Sequence, residues 1–437
     1  MSDVVGSERA DGSPNLRPDL RSDLRSDLRP DLRSDGRSDE RSAGRPPTVS
    51  VPKREELEGN VDDIDAVRER CGKFRDLFLA LRGEIGRVLV GQSEVVDLTL
   101  AALFADGHIL LEGVPGLGKT LLVRTLGATL GLAFSRIQFT PDLMPADITG
   151  TTLFIEDPTT GRRSFSFRPG PIFAQLVLAD EINRATPKSQ SALLEAMQER
   201  SVTVGGSTRP LERPFFVMAT QNPIEQEGTY PLPQAQLDRF LLKIVVPPAR
   251  REDLNEVIRR TTTGQQPVAR QILDAQRILA AQRLARQIIV APHVQDYLIR
   301  LVLSTHPGGE HCPKDVADYI RIGVSPRGAQ AIVSAAKIVA LMDGRFAVSF
   351  ADVRTVAAPS LRHRLERSFE AEADGVSTDD IVRALLERLP TDEERAKAEG
   401  IDATSARTDG GSLRRSGPRD LLGLMTAGML PGRGGRS

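Results

Sequence analysis

Three groups of residues in this 437-residue chain have the types and spacing to handle a polyphosphate. The first is the run Gly113, Val114, Pro115, Gly116, Leu117, Gly118, Lys119 and Thr120, just behind the apolar stretch Ile109-Leu110-Leu111. Glycine at 113, 116 and 118 lets the backbone curl tightly, so that successive N–H groups and the positive end of a following helix converge on an anion. Lys119 adds a point charge for the outer phosphates, and the Thr120 hydroxyl suits a magnesium position. A glycine-rich turn that merely joins strand to helix is the plainer alternative. The complete eight-residue pattern, with strand and helix signals on its two flanks, favours a phosphate-binding P-loop.

The second group is the pair Asp180-Glu181, which closes the apolar run Leu176-Val177-Leu178-Ala179. Acidic residues there, downstream of a P-loop, suit a division of labour. Asp180 would hold magnesium, directly or through its water shell, while Glu181 would polarise an attacking water. The third is Asn222, just beyond the apolar run Phe215 to Ala219. It sits beside Asp180 only if the two strands are neighbours, which sequence alone does not prove.

The elements that must position these groups follow from periodicity. Apolar residues at helical spacing run through Phe74, Leu77, Phe78, Leu81 and Ile85 to Leu89, with order expected from near Val61. After Val90-Gly91-Gln92 a second amphipathic stretch covers Val95 to Phe104, and this helical pair is placed to wall a base or simply to pack the core. The P-loop helix runs to Leu130 and a short strand follows at Arg136 to Phe139. Thr151 to Ile155 and Ser164 to Phe167 alternate around the turn Asp157 to Gly161, which reads as a hairpin inserted into a crossover. A helix at Ala185 to Gln198 precedes a second hairpin signal, Ser201 to Val204 and Ser207 to Leu211, around Gly205-Gly206. A last strand, Leu242 to Val246, meets Pro247-Pro248. Beyond it the periodicity is helical, including Pro326 to Met342 and Phe350 to Leu365.

The expected organisation is a tail over 1–60, an α/β nucleotide-binding domain over 61–248, an all-α domain over 249–399 and a flexible tail over 400–437. From Arg17 to Arg41 an Arg recurs at every fourth position with Asp between, a solvated polyampholyte with no apolar face. Leu421 to Leu430 is an apolar patch in the other tail, either a docking helix or a sticky end.

Hydrophobic content of 40% and charged content of 27% describe an ordinary soluble protein, and a formal net charge of -1 gives no global field for nucleic acid or an anionic membrane. No stretch approaches the ~18 apolar residues of a spanning helix, and the amino terminus has no apolar signal core. A cytoplasmic protein without stable membrane insertion is expected. Cys71 and Cys312 do not form a ligand-spaced cluster, and His306, His311 and Cys312 read as a helix-to-helix loop rather than a metal site. Arg362-His363-Arg364 reads as a solvated helix face.

Taken together, the strings Gly113 to Thr120, Asp180 to Ala185, Ala219 to Pro223, Gln236 to Phe240 and Ser325 to Arg327 make the chain resemble the MoxR family of AAA+ ATPases over about residues 65 to 365. The resemblance implies a P-loop AAA+ parallel-sheet domain with hairpin insertions followed by an all-α lid. It implies that Lys119 and Thr120 belong to Walker A, Asp180 and Glu181 to Walker B, and Asn222 to sensor 1. Arg239 is implied as an arginine finger for the γ-phosphate held by a neighbouring subunit, and Arg327 as sensor 2 in the lid. ATP and Mg2+ are the implied cofactors, a hexameric ring of copies the implied assembly, and a von Willebrand factor A domain protein and a protein client the implied partners. The two hairpins match the family's helix-2 and pre-sensor-1 insertions. The chain departs from the family pattern at Gln234, commonly acidic, and at Gly328, commonly Ala. Competing expectations are a nucleic-acid motor or loader, disfavoured by the near-neutral charge, and a non-hydrolysing scaffold, disfavoured by Glu181, Asn222 and Arg239.

Overall fold

The computed structural model describes residues 51–59, 64–114, 116–156, 163–223, 228–262 and 267–391. The Arg/Asp repeat, the turn at 157–161, Pro115 and the Leu421 to Leu430 patch lie outside the described residues.

Two helices, α1 (Ile64–Val88) and α2 (Ser93–Phe104), precede strand β1 (Ile109–Glu112) and the P-loop helix α3 (Lys119–Leu130). Strand β2 (Phe134–Gln138) and the short helix α4 (Pro145–Thr149) lead into the hairpin β3 (Gly150–Glu156) and β4 (Arg163–Pro169). Strand β5 (Leu176–Asp180) is followed by α5 (Pro187–Glu199), then by a second hairpin, β6 (Ser201–Val204) and β7 (Ser207–Pro210). Strand β8 (Phe216–Gln221), the single turn α6 (Gln234–Leu237) and β9 (Leu242–Val245) complete the α/β part.

Five strands form one parallel sheet in the order β2-β5-β8-β1-β9. Side chains alternate between its faces, as period-2 geometry requires. Ile109, Leu111, Leu176, Leu178, Phe216 and Met218 enter one core with α1, α2 and α3. Leu110, Val177, Ala179, Val217 and Ala219 enter the other, with Leu193, Leu194 and Met197 of α5. Burial on both faces explains why these strands read as continuous apolar runs.

The hairpins form as expected, with Gly150 opposite Pro169 and Ser201 opposite Pro210. The longer one exposes Phe154 and Phe165, whose rings meet edge-on at 5.4 Å. The two touch where the Arg209 guanidinium lies 4.0 Å from the centroid of Phe167.

The lid comprises α7 (Arg251–Thr262), α8 (Ala275–Gln287), α9 (Pro292–Leu303), α10 (Lys314–Ala317), α11 (Pro326–Met342), α12 (Phe350–Leu361), α13 (Phe369–Ala373) and α14 (Thr378–Arg388). One short antiparallel pair, β10 (Ile320–Ile322) with β11 (Glu366–Arg367), is added to the helices expected there. The apolar core does not divide at Pro247-Pro248. Ile332, Leu341, Val353 and Val356 of the lid belong to the same cluster as Leu100 and Ile109.

Two expectations need correction. The tail does not extend to residue 60, because Arg54–Glu56 forms a turn of 3-10 helix that carries Leu57 into the core at 1% exposure. Arg70 secures this segment by donating to the Gly59 carbonyl at 2.7 Å. Helix α12 also stops at Leu361, and the segment after it is no solvated face, for His363 and Arg364 are only 3% and 5% exposed. Isolated charge in a sequence predicts water as the partner, but a buried Arg persists where fixed acceptors surround it.

Candidate nucleotide site

The P-loop leaves β1 at the carboxyl end of the sheet. Gly116 and Gly118 have φ of +85° and +77°, left-handed values that a side chain resists. Gly113 serves by close approach, since a Cβ there would lie 3.1 Å from the Val246 Cβ. Lys119 Nζ donates to the Gly113 carbonyl at 2.5 Å, holding the base of the loop, and Gln92 donates to the Leu117 carbonyl at 2.6 Å. Gln92 also lines a cavity of about 480 Å³ with Leu89, Val90 and Gly91 of the α1–α2 turn and Arg250 and Asp253 of the lid side. The donor set fits a nucleotide triphosphate: backbone N–H groups at a helix start, one ammonium, and the Thr120 hydroxyl beside them.

Strands β5 and β8 end at the same side, and Ala179 pairs with Ala219. Asp180 is therefore next to Thr220, whose hydroxyl donates to Asp180 Oδ1 at 2.7 Å and accepts from the Glu181 backbone N–H at 2.8 Å. Because β8 separates β1 from β5, the acidic pair lies two strand spacings, about 10 Å, from the P-loop strand. Asn222 emerges immediately beyond β8, between the two, and is 5% exposed. The adjacency left open by sequence is thus present.

The acidic pair is enclosed by basic and amide groups that sequence reasoning did not single out. Arg136 donates to Asp180 Oδ2 through Nε at 3.1 Å and Nη2 at 2.6 Å. Gln138 and Arg184 donate to Glu181 Oε2 at 2.9 and 3.0 Å. Arg136 and Gln138 lie two apart on β2 and so share a face, the one signal in the sequence that could have found them. Glu181 itself has φ +57° and ψ +52°, a left-handed conformation that costs a non-glycine residue ~1 kcal/mol.

Arg239 and Arg327 lie elsewhere. In the parallel pairing of β1 with β9, Ile109 is opposite Leu242 and Glu112 opposite Val245. The P-loop follows Glu112, whereas Arg239 precedes Leu242, so at least three strand steps, roughly 10 Å, separate the two ends. Both arginines line a cavity of about 390 Å³ that contains no P-loop residue. Arg200 shares that lining and is anchored on Asp106 Oδ2, which also receives Arg213 and Arg286. Arg327 stands 3.9 Å from Asp238 Oδ2. Arg200, Arg239, Arg327 and Arg364 line the cavity against Asp106 and Asp238, a net basic balance.

Comparison with known proteins decides what this arrangement belongs to. Residues 108–242 match the ATPase family associated with various cellular activities (AAA), and residues 313–385 match the AAA lid domain. Chaperone MoxR1 of Mycobacterium tuberculosis is 45% identical over 306 residues, 70% of this chain and 80% of that protein. The chain belongs to the MoxR family of AAA ATPases. Protein MoxR of Methylorubrum extorquens is 33% identical, across 72% of this chain and 96% of that protein. A crystal structure of an ATPase candidate from Cytophaga hutchinsonii, 40% identical, superposes with a TM-score of 0.69 over 75% of this chain and 98% of that one.

Within this MoxR-family chain Gln234 and Gly328, the two positions expected from the resemblance to depart from the family pattern, meet the same segment. Gln234 donates its amide to the His363 carbonyl at 3.0 Å, a bond a carboxylate could not make. Gly328 gives Arg364 room, since a Cβ there would lie 3.2 Å from Arg364 Cδ and 2.1 Å from Val324 Cγ1.

Proposed function

We propose that this chain hydrolyses ATP as a ring of copies, a hexamer in the reading that the family resemblance favours, and uses the cycle to remodel or mature a protein client. The reading rests on one observation: the P-loop and acidic pair lie at one end of the sheet, and Arg239 and Arg327 at the other. A complete set of phosphate ligands then requires a second copy. In this reading Lys119 and the loop amides bind the triphosphate, and Thr120 and Asp180 hold Mg2+, whose role is to neutralise charge on the phosphate oxygens. Among the described residues no group of three or more His, Cys, Asp or Glu forms a metal cage, so phosphate oxygens and water would complete the shell.

Glu181 acts as the base that orients the attacking water, and Asn222 as a second polar contact to water or phosphate. Arg239 and Arg327 approach from the adjoining copy, where an always-charged planar fork suits charge spread over phosphoryl oxygens. The exposed Phe154 and Phe165 hairpin supplies a surface for an apolar segment of the client, and a von Willebrand factor A domain protein is the adaptor expected by resemblance, in the cytoplasm. Among the described residues no helix is long and apolar enough to cross a membrane.

The test is complementation. Lys119→Ala is expected to lose nucleotide binding, and Glu181→Gln and Arg239→Ala to bind ATP while turnover falls at least a hundredfold. Mixing Arg239→Ala with Lys119→Ala subunits should recover part of the turnover, because some junctions then pair an intact P-loop with an intact Arg239. Full turnover by the Arg239 variant as a dilute monomer would refute the shared site.

A further inference from the structure

In the segment Arg362-His363-Arg364, just after α12, His363 and Arg364 are buried and Arg362 half-buried against the loop that carries Arg239. Arg364 donates through Nε to Asp238 Oδ1 at 2.7 Å, through Nη2 to the carbonyls of Asp238 and Phe240 at 3.2 and 2.6 Å, and through Nη1 to the Leu241 carbonyl at 3.1 Å. His363 Nε2 donates to the Phe240 carbonyl at 3.0 Å, and Arg362 to that of Lys243 at 3.1 Å. The bond from Gln234 runs back to the His363 carbonyl. The other Asp238 oxygen accepts from Ser325 at 3.0 Å, at the start of α11.

Arg239 is therefore bracketed. Backbone carbonyls immediately before it and at the two following residues are held by lid side chains, and the acidic side chain beside it is gripped on both oxygens. A planar fork with five N–H donors in fixed geometry transmits orientation as well as charge. Burial removes the water that would otherwise compete for those carbonyls.

We propose that Arg364, supported by His363 and Gln234, is a positioning residue that fixes Arg239 to the lid, so that lid orientation in one subunit sets the approach of Arg239 to the nucleotide of the next. This rests on the shared-site reading above. It assigns a task to a charged segment that sequence had set aside as a solvated helix face. A shift of this segment would carry residues 238–241 with it, at the end of β9 remote from the subunit's own P-loop.

The experiment uses the full chain with Arg364→Lys, which keeps the charge and loses the fork. Affinity for a fluorescent ATP analogue should stay within twofold of the parent, while kcat falls at least tenfold with KM within twofold. Equal mixing with Lys119→Ala should raise turnover, because the Arg364→Lys P-loops then meet undamaged Arg239 loops. Mixing with Arg239→Ala should raise nothing, since both lesions lie on the donating face. A variant damaged only in folding would not divide the two mixtures. Parental kcat for Arg364→Lys, or failure to be rescued by Lys119→Ala when Arg239→Ala is rescued, overturns the proposal. Failure of the Arg239→Ala and Lys119→Ala mixture overturns the shared site first. If Arg364→Lys does not fold, Asp238→Asn, which weakens the same grip from the other partner, is put through the same mixtures and judged by the same outcomes.

Discussion

Thr220 is a small residue with two neighbours that matter. Its hydroxyl donates to Asp180 and accepts from the backbone N–H of Glu181, so one oxygen fixes the spacing of the two acidic groups. Thr220→Val keeps the shape and removes both bonds, leaving a buried N–H without its acceptor. The expected result is a fall in turnover of about tenfold, ~1.4 kcal/mol of transition-state stabilisation, with nucleotide affinity little changed. Steady-state kinetics beside a binding titration checks it, and parental kcat would show that Arg136 alone holds Asp180. The residue was visible in the sequence string after Phe215, but its role was not, because the role depends on which strand lies alongside.

At the scale of elements, the sheet is closed at its amino-terminal end by His108. Its Nδ1 accepts from the Val217 N–H of β8 at 3.1 Å, its Nε2 engages the Met197 carbonyl of α5 at 3.2 Å, and its own carbonyl accepts from Leu241 at 2.7 Å. Nδ1 as acceptor requires the neutral ring with the proton on Nε2. Burial pushes the imidazole down from 6.5 to about 4, the bond to Met197 only partly opposing it. A His whose folded value lies below its unfolded one contributes stability above the unfolded value, and that contribution fades as pH falls from about 6.5 towards about 4. The span corresponds to about 3 kcal/mol. Denaturant midpoints measured across that window should fall for the parent and fall less for His108→Asn, which starts lower but has no proton to gain. Equal slopes would mean that other groups carry the acid sensitivity. The same end of the sheet carries the Arg239 loop, so His108 also sets where the basic cavity begins.

At the scale of the whole molecule, the continuous core from α1 through α12 means that the lid is no loose appendage. Bonds from Arg362, His363 and Arg364 bind it further to the edge strand β9 and the loop before it. If the site is completed only between copies, turnover per subunit should rise with protein concentration and reach a plateau once assembly is complete. ATPase rate measured across a dilution series, beside sedimentation or light scattering, checks this. A flat rate through the dissociation range would refute it.

What the sequence determined by itself was local. Eight consecutive residues define the P-loop because backbone curvature and a helix start are properties of neighbours, and apolar runs define buried parallel strands because both faces are covered. Hairpin signals at Gly205-Gly206 and around Thr151 were legible for the same reason. Only the tertiary structure decided that β8 runs between β1 and β5, that Arg239 stands at the opposite end of the sheet from the P-loop, and that Arg364 is buried against acceptors 123 to 126 positions away. Strand order follows from crossovers and burial of a charge follows from its partners, and both depend on contacts between distant parts of the chain that no window of sequence contains.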